Sequence, residues 1–317
     1  MILDCHMHSW RYPQHFNREV MLANQPERRH GWPEERFKEM WELPVERYFD
    51  EMRRSEVGRA LLLGLKAGAT LGIEVDNAYL AEAAAQYPEH LAWACCVTPT
   101  EPGAAEEVER CVRELGAAAV GELGPVYGGF RADDPRCFPV WETARDLDVP
   151  LLIHAGPAQA RWAHLKYGDL NAVDEIAIRF PSLRIVICHL GYNRYEDAAF
   201  IIAKHPNVYA DISWLPQLAG FDRSALSRYL PQVEYGYYHL VHPLLYYFTQ
   251  TFGLTDKLIW GTDFPAGSPV AGLETVRGIN HWLDGHNLPR IPEEALNRLL
   301  HENWRRVFPR LAQVWKP

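Results

Sequence analysis

Side chains able to bind a divalent cation stand at the ends of apolar runs in this chain. They are His6 and His8 in LDCHMHSW, Glu122 in AVGELG, His154 in PLLIHAG, His189 in IVICHLG and Asp263 in IWGTDFP. Neutral imidazole and carboxylate suit an ion of borderline hardness: zinc first, then manganese, iron or cobalt. An extended strand sends alternate side chains to one face, so His6 and His8 point to one spot. A set of three protein ligands with one open position is the catalytic form of such a site. Two arrangements fit the spacing. Glu122 bridges two ions, the second held by His154 and His189, or a single ion takes His154 and leaves His189 as a base or electrophile. Either way the ion acidifies water and polarises a carbonyl oxygen, and Asp263 is the proton carrier.

Each residue also has a plainer reading. A lone strand-end histidine is more often a hydrogen-bonded core residue, and Glu122, just before Gly124, could pair with an arginine in a turn. Several such motifs at strand ends together carry the argument. By alternation Asp4 shares the face of His6 and His8 but lies deeper, as support for a ligand or in a buried ion pair. Cys188, next to His189 in a strand, should face the other way, and so is no nucleophile for this site.

The elements that must position these groups are short and regular. Strands are predicted at Ile2–Cys5, Arg59–Leu65, Leu91–Val97, Ala117–Leu123, Val149–His154, Arg184–His189, Asn207–Ile212 and Lys257–Gly261. They are near-continuous in Val, Ile, Leu and Ala, as strands buried on both faces are. Helical patterns lie between them, at Val45–Glu56, Asp76–Gln86, Ala104–Leu115, Asp134–Asp146, Leu170–Phe180, Glu196–Lys204, Ser224–Leu230, Pro243–Phe252, Leu273–Leu283 and Glu293–Val307. Eight alternations predict a single-domain (β/α)8 TIM barrel, whose usual length is about 250 residues before insertions. Long loops follow the first strand (Ser9–Leu43) and the seventh (Ser213–Asp256). Both leave the C-terminal ends of strands, where barrel enzymes place catalysis, and read as substrate walls or lids. The aromatic second loop could equally be a contact in a homo-oligomer.

Candidate substrate contacts lie on the same side. Trp10, two residues past His8, is placed to stack on a ring. Arg131, Arg161 and Arg194 follow the fourth, fifth and sixth strands, where an arginine could clamp a carboxylate. A solvated loop charge is the plainer reading of each. Gly121–Gly129 has neither the spacing nor the lysine of a phosphate cradle and reads as a loop near the site. His239 and His242, just before Pro243, read as a wet loop surface.

Composition narrows the partners. The 317 residues are 48% hydrophobic and 23% charged, ordinary for a soluble protein with a sizeable core. A net charge of -9 without a basic stripe argues against nucleic acid or an anionic membrane and leaves a small molecule. No run of about 18 apolar residues predicts a membrane span. MILDCHMHSW lacks the features of a signal peptide. With six cysteines that show no metal-finger spacing, a cytoplasmic protein with reduced thiols is the expectation.

The ordered set DCHMH at Asp4–His8, IHAG at His154, CHLG at His189, PNVYADIS at Pro206–Ser213 and WGTDFP at Trp260–Pro265 resembles the amidohydrolase superfamily, and within it the amidohydrolase-related branch. HENWRRVFP at His301–Pro309 is similar to that branch's closing helix, with Trp304 where a small residue is usual. The resemblance implies a metal-dependent barrel enzyme. His6, His8, His154 and Asp263 would be ligands, and His189 a ligand or the catalytic histidine. Glu122 in GELG resembles the bridging glutamate of deoxyribonuclease-like members, which points toward two ions and hydrolysis. The branch includes lactonases and other hydrolases, and non-oxidative decarboxylases acting on aminocarboxymuconate semialdehyde or resorcylate. The leading expectation is a hydrolase using activated water on a lactone, ester or amide. The alternative is a decarboxylase of an aromatic or muconate-like acid, and a metal-binding sensor or scaffold is the non-enzymatic rival.

Overall fold

A computed structural model describes residues 1–24, 31–158, 160–216, 235–251 and 254–315, with backbone alone for 235–239 and 249–251. Eight strands line up in chain order, all parallel: β1 Ile2–His8, β2 Val57–Leu63, β3 Leu91–Cys95, β4 Ala119–Leu123, β5 Leu151–His154, β6 Ile185–Cys188, β7 Val208–Asp211 and β8 Leu258–Ile259. β8 is short, and the residues after it complete the ring. Cys5 N–H donates to Trp260 O (3.2 Å), Asp263 N–H to His6 O (2.7 Å) and His8 N–H to Phe264 O (2.8 Å). The barrel is thus joined between β8 and β1, where the predicted ligands of both strands meet.

Two apolar layers follow from the pleat. Leu3, Cys5, Leu61, Leu63, Leu152, Val186, Cys188 and Ile259 fill the interior. Leu62, Trp93, Val120, Ile153, Ile187 and Ala210 face outward onto helices through residues such as Val108, Ile176 and Ile202. Trp304, Val307, Phe308 and Trp315 join the interior cluster and seal its floor. Arg184, just before β6, fixes them by donating from Nε to Val307 O (3.0 Å).

The predicted helices are present where described, most of them shorter than the pattern suggested. Pro135–Cys137 is a 3-10 turn ahead of Phe138–Asp146, and the last helix breaks after His301 before resuming at Trp304–Val307. The helix expected at Ser224–Leu230 lies outside the described residues. The reading of His239 and His242 as loop is corrected. A helix runs over Tyr235–Leu245 with Pro243 inside it, and passes into a π-helical turn at Tyr246–Thr251. Among the described residues the loop after β1 carries two helices, Arg18–Asn24 and Glu34–Trp41. Bridges Trp10–Leu43 and Phe16–Ile73 pin it to the barrel mouth, the second to a small hairpin of Lys66–Ala67 and Ile73–Glu74. Among the described residues no helix is long and apolar enough to cross a membrane.

Candidate metal centre at the barrel mouth

Three local departures from regular strand geometry build the site. In β1 a register shift falls between Asp4 and Met7. Leu3 and Cys5 therefore face the interior below, while His6 and His8 face it above. Asp4 is left off their face, contrary to simple alternation. It accepts hydrogen bonds from Tyr48 Oη (2.8 Å), Thr262 Oγ1 (2.6 Å), Thr262 N (2.9 Å) and His6 N (3.2 Å), tying β1 to the chain beyond β8 and to an outer helix. Burial pushes its carboxyl up to about 6 against those hydrogen bonds.

In β4 a register shift between Val120 and Leu123 turns Glu122 inward. Gly121 is required there, since a Cβ would lie 2.8 Å from Leu152 Cβ. After β6, His189 takes a left-handed backbone (φ 57°). Its ring joins the site although Cys188 already faces the interior near His6 and Asp211. The two neighbours share a side, which corrects the expectation that they face opposite ways. Asp263 is also left-handed (φ 60°), and its N–H bond to His6 O sets it beside the β1 pair. Conformations of this kind cost about 1–3 kcal/mol each and persist where surrounding structure fixes them. His154 alone follows plain alternation in β5.

The result is a compact cluster. Glu122 Oε2 lies 3.7 Å from His6 Nε2 and 3.5 Å from His8 Nε2, and Asp263 Oδ1 lies 3.6 and 3.5 Å from the same atoms. Glu122 Oε1 is 3.3 Å from His189 Nε2 and 2.8 Å from His154 Nδ1. Ligands on one ion, each roughly 2.1 Å from it, sit roughly 3.0–3.5 Å apart, so these separations match neighbouring ligand positions. The far side of each β1 ring is held: His6 Nδ1 by Asp211 Oδ2 (3.0 Å) and His8 Nδ1 by Leu63 O (3.2 Å). His189 Nδ1 meets Ser213 Oγ at 2.7 Å, and that hydroxyl donates to Asp211. Such contacts keep the proton on Nδ1 and aim the Nε2 lone pair inward. The Nε2 atoms of His6 and His154 are buried without a hydrogen-bond partner. A buried polar atom left unpaired is costly, and a cation between Glu122 and Asp263 would satisfy His6 Nε2, while His154 faces Glu122 through Nδ1. The residues fit a divalent ion.

The charges are mutually dependent. Burial opposes ionisation of Glu122, but the imidazoles of His154, His189, His6 and His8 hold it well below the usual carboxylate range. Burial likewise opposes protonation of His8, yet Asp263 and Glu122 raise it to about 8. Asp211 is lowered to about 2, because His6 and His189 outweigh its burial.

These features agree with the match between residues 3–310 and the Amidohydrolase family model. The chain belongs to the amidohydrolase family. A curated relative, γ-resorcylate decarboxylase from Polaromonas sp., is 29% identical over 148 residues, covering 36% of this chain and 43% of the relative. The aligned part is thus less than half of that relative's length. Among solved structures, 5-carboxyvanillate decarboxylase from Sphingomonas paucimobilis superposes with a TM-score of 0.63 at 16% identity, covering 97% of this chain and 98% of that one. A dihydroxybenzoic acid decarboxylase from Polaromonas sp. with bound manganese and 2-nitroresorcinol gives 0.62 at 15%, covering 98% and 97%. A probable 2-pyrone-4,6-dicarboxylic acid hydrolase from Acinetobacter baumannii gives 0.60 at 16%, covering 97% and 99%. At these identities the structural likeness is one of fold.

Above the cluster, this amidohydrolase-family barrel opens into a cavity of about 410 Å³. Trp10 lines it, its ring 6.0 Å from that of His8 and nearly parallel. The arginines do not. Arg131 is held by Asp133 (2.8 and 2.9 Å) and Asp169 (3.3 Å), Arg194 by Asp197 (2.8 Å), and Arg161 is exposed. None of the three lines the cavity, and neighbouring acids take two of the guanidinium groups. Sequence reasoning missed Tyr127, which lines the cavity from the turn after β4, and the supporting Asp211 and Ser213. Both supporters lie inside the PNVYADIS motif, which was a signal for them. Tyr127 stands five residues beyond Glu122 in the glycine-rich segment.

Proposed function

We propose that this protein is a metal-dependent, non-oxidative decarboxylase of a small aromatic acid, in place of the hydrolase that the motifs first suggested. The observation that carries the reading is a cation-ready donor set opening into a cavity with apolar walls. Trp10, Met40, Trp41, Leu43, Leu65 and Leu71 form most of that wall. The similarity to γ-resorcylate decarboxylase supports the same choice.

His6, His8, Glu122, His154 and Asp263, with His189, would hold the ion. A divalent ion bound there supplies a positive charge for the substrate carboxylate and its neighbouring oxygen. Manganese, present in a structural neighbour, joins zinc as a candidate. The chain supplies the rest. Apolar walls favour a reaction in which a localised carboxylate charge leaves as neutral carbon dioxide. The carbon–carbon bond breaks with its electron pair left on the ring carbon, which must then receive a proton. Asp263 is placed to carry that proton, because 20% of its side chain is exposed against 4% for Glu122. It exchanges with solvent at the mouth and delivers at the ring carbon. His189, its Nδ1 proton held by Ser213, turns the Nε2 lone pair inward, where it would take either the ion or the proton of a substrate hydroxyl.

Hydrolysis is the second reading, and Glu122 favours it. A carboxylate in reach of four imidazoles could bridge two ions and serve an attacking water. Assays of hydroxybenzoates and of a lactone and ester panel in ¹⁸O-labelled water separate the two. Carbon dioxide release without label in the aromatic product is expected; label in a ring-opened or de-esterified product, with no carbon dioxide, would establish hydrolysis instead.

A further inference from the structure

We propose that Tyr127 is a specificity residue: its phenolic hydroxyl donates a hydrogen bond to a ring oxygen of the bound acid and so fixes which ring carbon lies over the cluster. This rests on the aromatic-acid reading above. Tyr127 lies on the helical turn Pro125–Gly128 that follows β4. The turn is firmly seated. Tyr127 N–H donates to Gly124 O (3.0 Å), and its carbonyl accepts from Thr70 Oγ1 (3.3 Å) near the small hairpin. The ring packs against His154 with centroids 5.0 Å apart. Gly124 makes this seat possible, because a Cβ there would stand 2.5 Å from Tyr127 Cδ2. The sequence therefore gives up a side chain to place this phenol beside a cluster histidine.

The chemistry of the wall leaves Tyr127 one task. The cavity's other polar linings, His8, Glu122, His154, His189 and Asp263, all belong to the cluster. Among the described residues the Tyr127 hydroxyl has no hydrogen-bond partner, while the indole N–H of Trp10, also unpaired, is sealed from solvent. Its neighbours in the wall are otherwise apolar. A ligand that brings an oxygen to this hydroxyl completes a bond. One that brings hydrogen displaces water and leaves the donor bare, which is the asymmetry that makes polar pockets selective. A phenol on a fixed turn, over an imidazole of the cluster, also sets the angle at which a ring enters.

Calorimetric titration of the manganese-loaded protein with benzoate and with 2-, 3- and 4-hydroxybenzoate tests this, using Tyr127→Phe for comparison. In the wild type at least one hydroxybenzoate should bind about tenfold more tightly than benzoate, the scale of one well-made hydrogen bond in a buried site. In Tyr127→Phe that preference should vanish while benzoate affinity stays the same. The proposal is overturned by a variant that keeps the preference, by a wild type that has none, or by a variant that loses benzoate equally. Binding is read without turnover. If hydroxybenzoates bind selectively but release no carbon dioxide, the reaction assignment fails and the role of Tyr127 stands.

Discussion

The floor and the mouth of this barrel are made from the same eight strands, yet they spend their buried positions differently. At the floor, Trp304, Val307, Phe308 and Trp315 close over Leu3, Leu61 and Leu152, and stability comes from apolar area. At the mouth, His6, Glu122 and Asp211 are as deeply buried, and each is a group that costs stability unless it is paired. Regular pleating suffices below. Above, two register shifts and two left-handed residues are needed to turn side chains inward. The contrast teaches that one end is organised for cohesion and the other for chemistry, so substitutions should separate cleanly into those that unfold and those that silence.

The sharpest test of that division is Asp263→Asn. Turnover should fall by about a thousandfold, within the range for loss of a proton-transfer group, while the melting temperature stays near wild type. Unchanged turnover in the carbon dioxide assay would remove Asp263 from the mechanism, and a collapse of the melt would blur the two ends. The counterpart at the floor is Trp304→Ala, which should cost about 3–5 kcal/mol by denaturant unfolding. The surviving folded enzyme should keep its kcat. A change in kcat without loss of stability would contradict the comparison.

Between these lies Asp211→Asn. It keeps shape but weakens the hold on His6 Nδ1, and metal affinity should drop about 10- to 100-fold, as for other partners of ligating histidines. Competition with a metal indicator dye measures it. Unchanged affinity would mean that His6 needs no such partner. The smallest effect is expected from Arg131→Ala and Arg194→Ala. Neither lines the cavity, so KM should move less than about twofold, and losing half-exposed ion pairs of this kind should cost about 0–1 kcal/mol of stability. A tenfold rise in KM would return a carboxylate clamp to the loops.

Much of the fold was readable because the apolar runs are short, dense and regularly spaced. Six of the eight strands fall within the predicted stretches; β1 runs past its own to take in His6 and His8, and β2 starts two residues early, at Val57. The convergence of His6, His8, His154 and Asp263 could be read from strand ends alone. What could not be read was local backbone geometry. Period-two reasoning set Asp4 with His6 and parted Cys188 from His189. A register shift and a positive φ reversed each, and neither leaves a signature as plain as a proline. The loop arginines show a different limit. Their nearness to strand ends was correct, but Asp133, Asp169 and Asp197 are in reach and neutralise two of them. The walls from Trp41, Leu65 and Leu71 depend on how the first loop and the hairpin fold back, a tertiary matter that no window of sequence contains.

The account turns on the imidazoles at the mouth being cation ligands. Elemental analysis of the purified wild type beside His6→Ala addresses this most directly. The account predicts at least one divalent ion per folded wild-type chain and little or none in the variant, with carbon dioxide release falling in proportion. Wild-type protein that contains no ion after dialysis, gains none from added manganese or zinc, and still turns over an aromatic acid at full rate would contradict it.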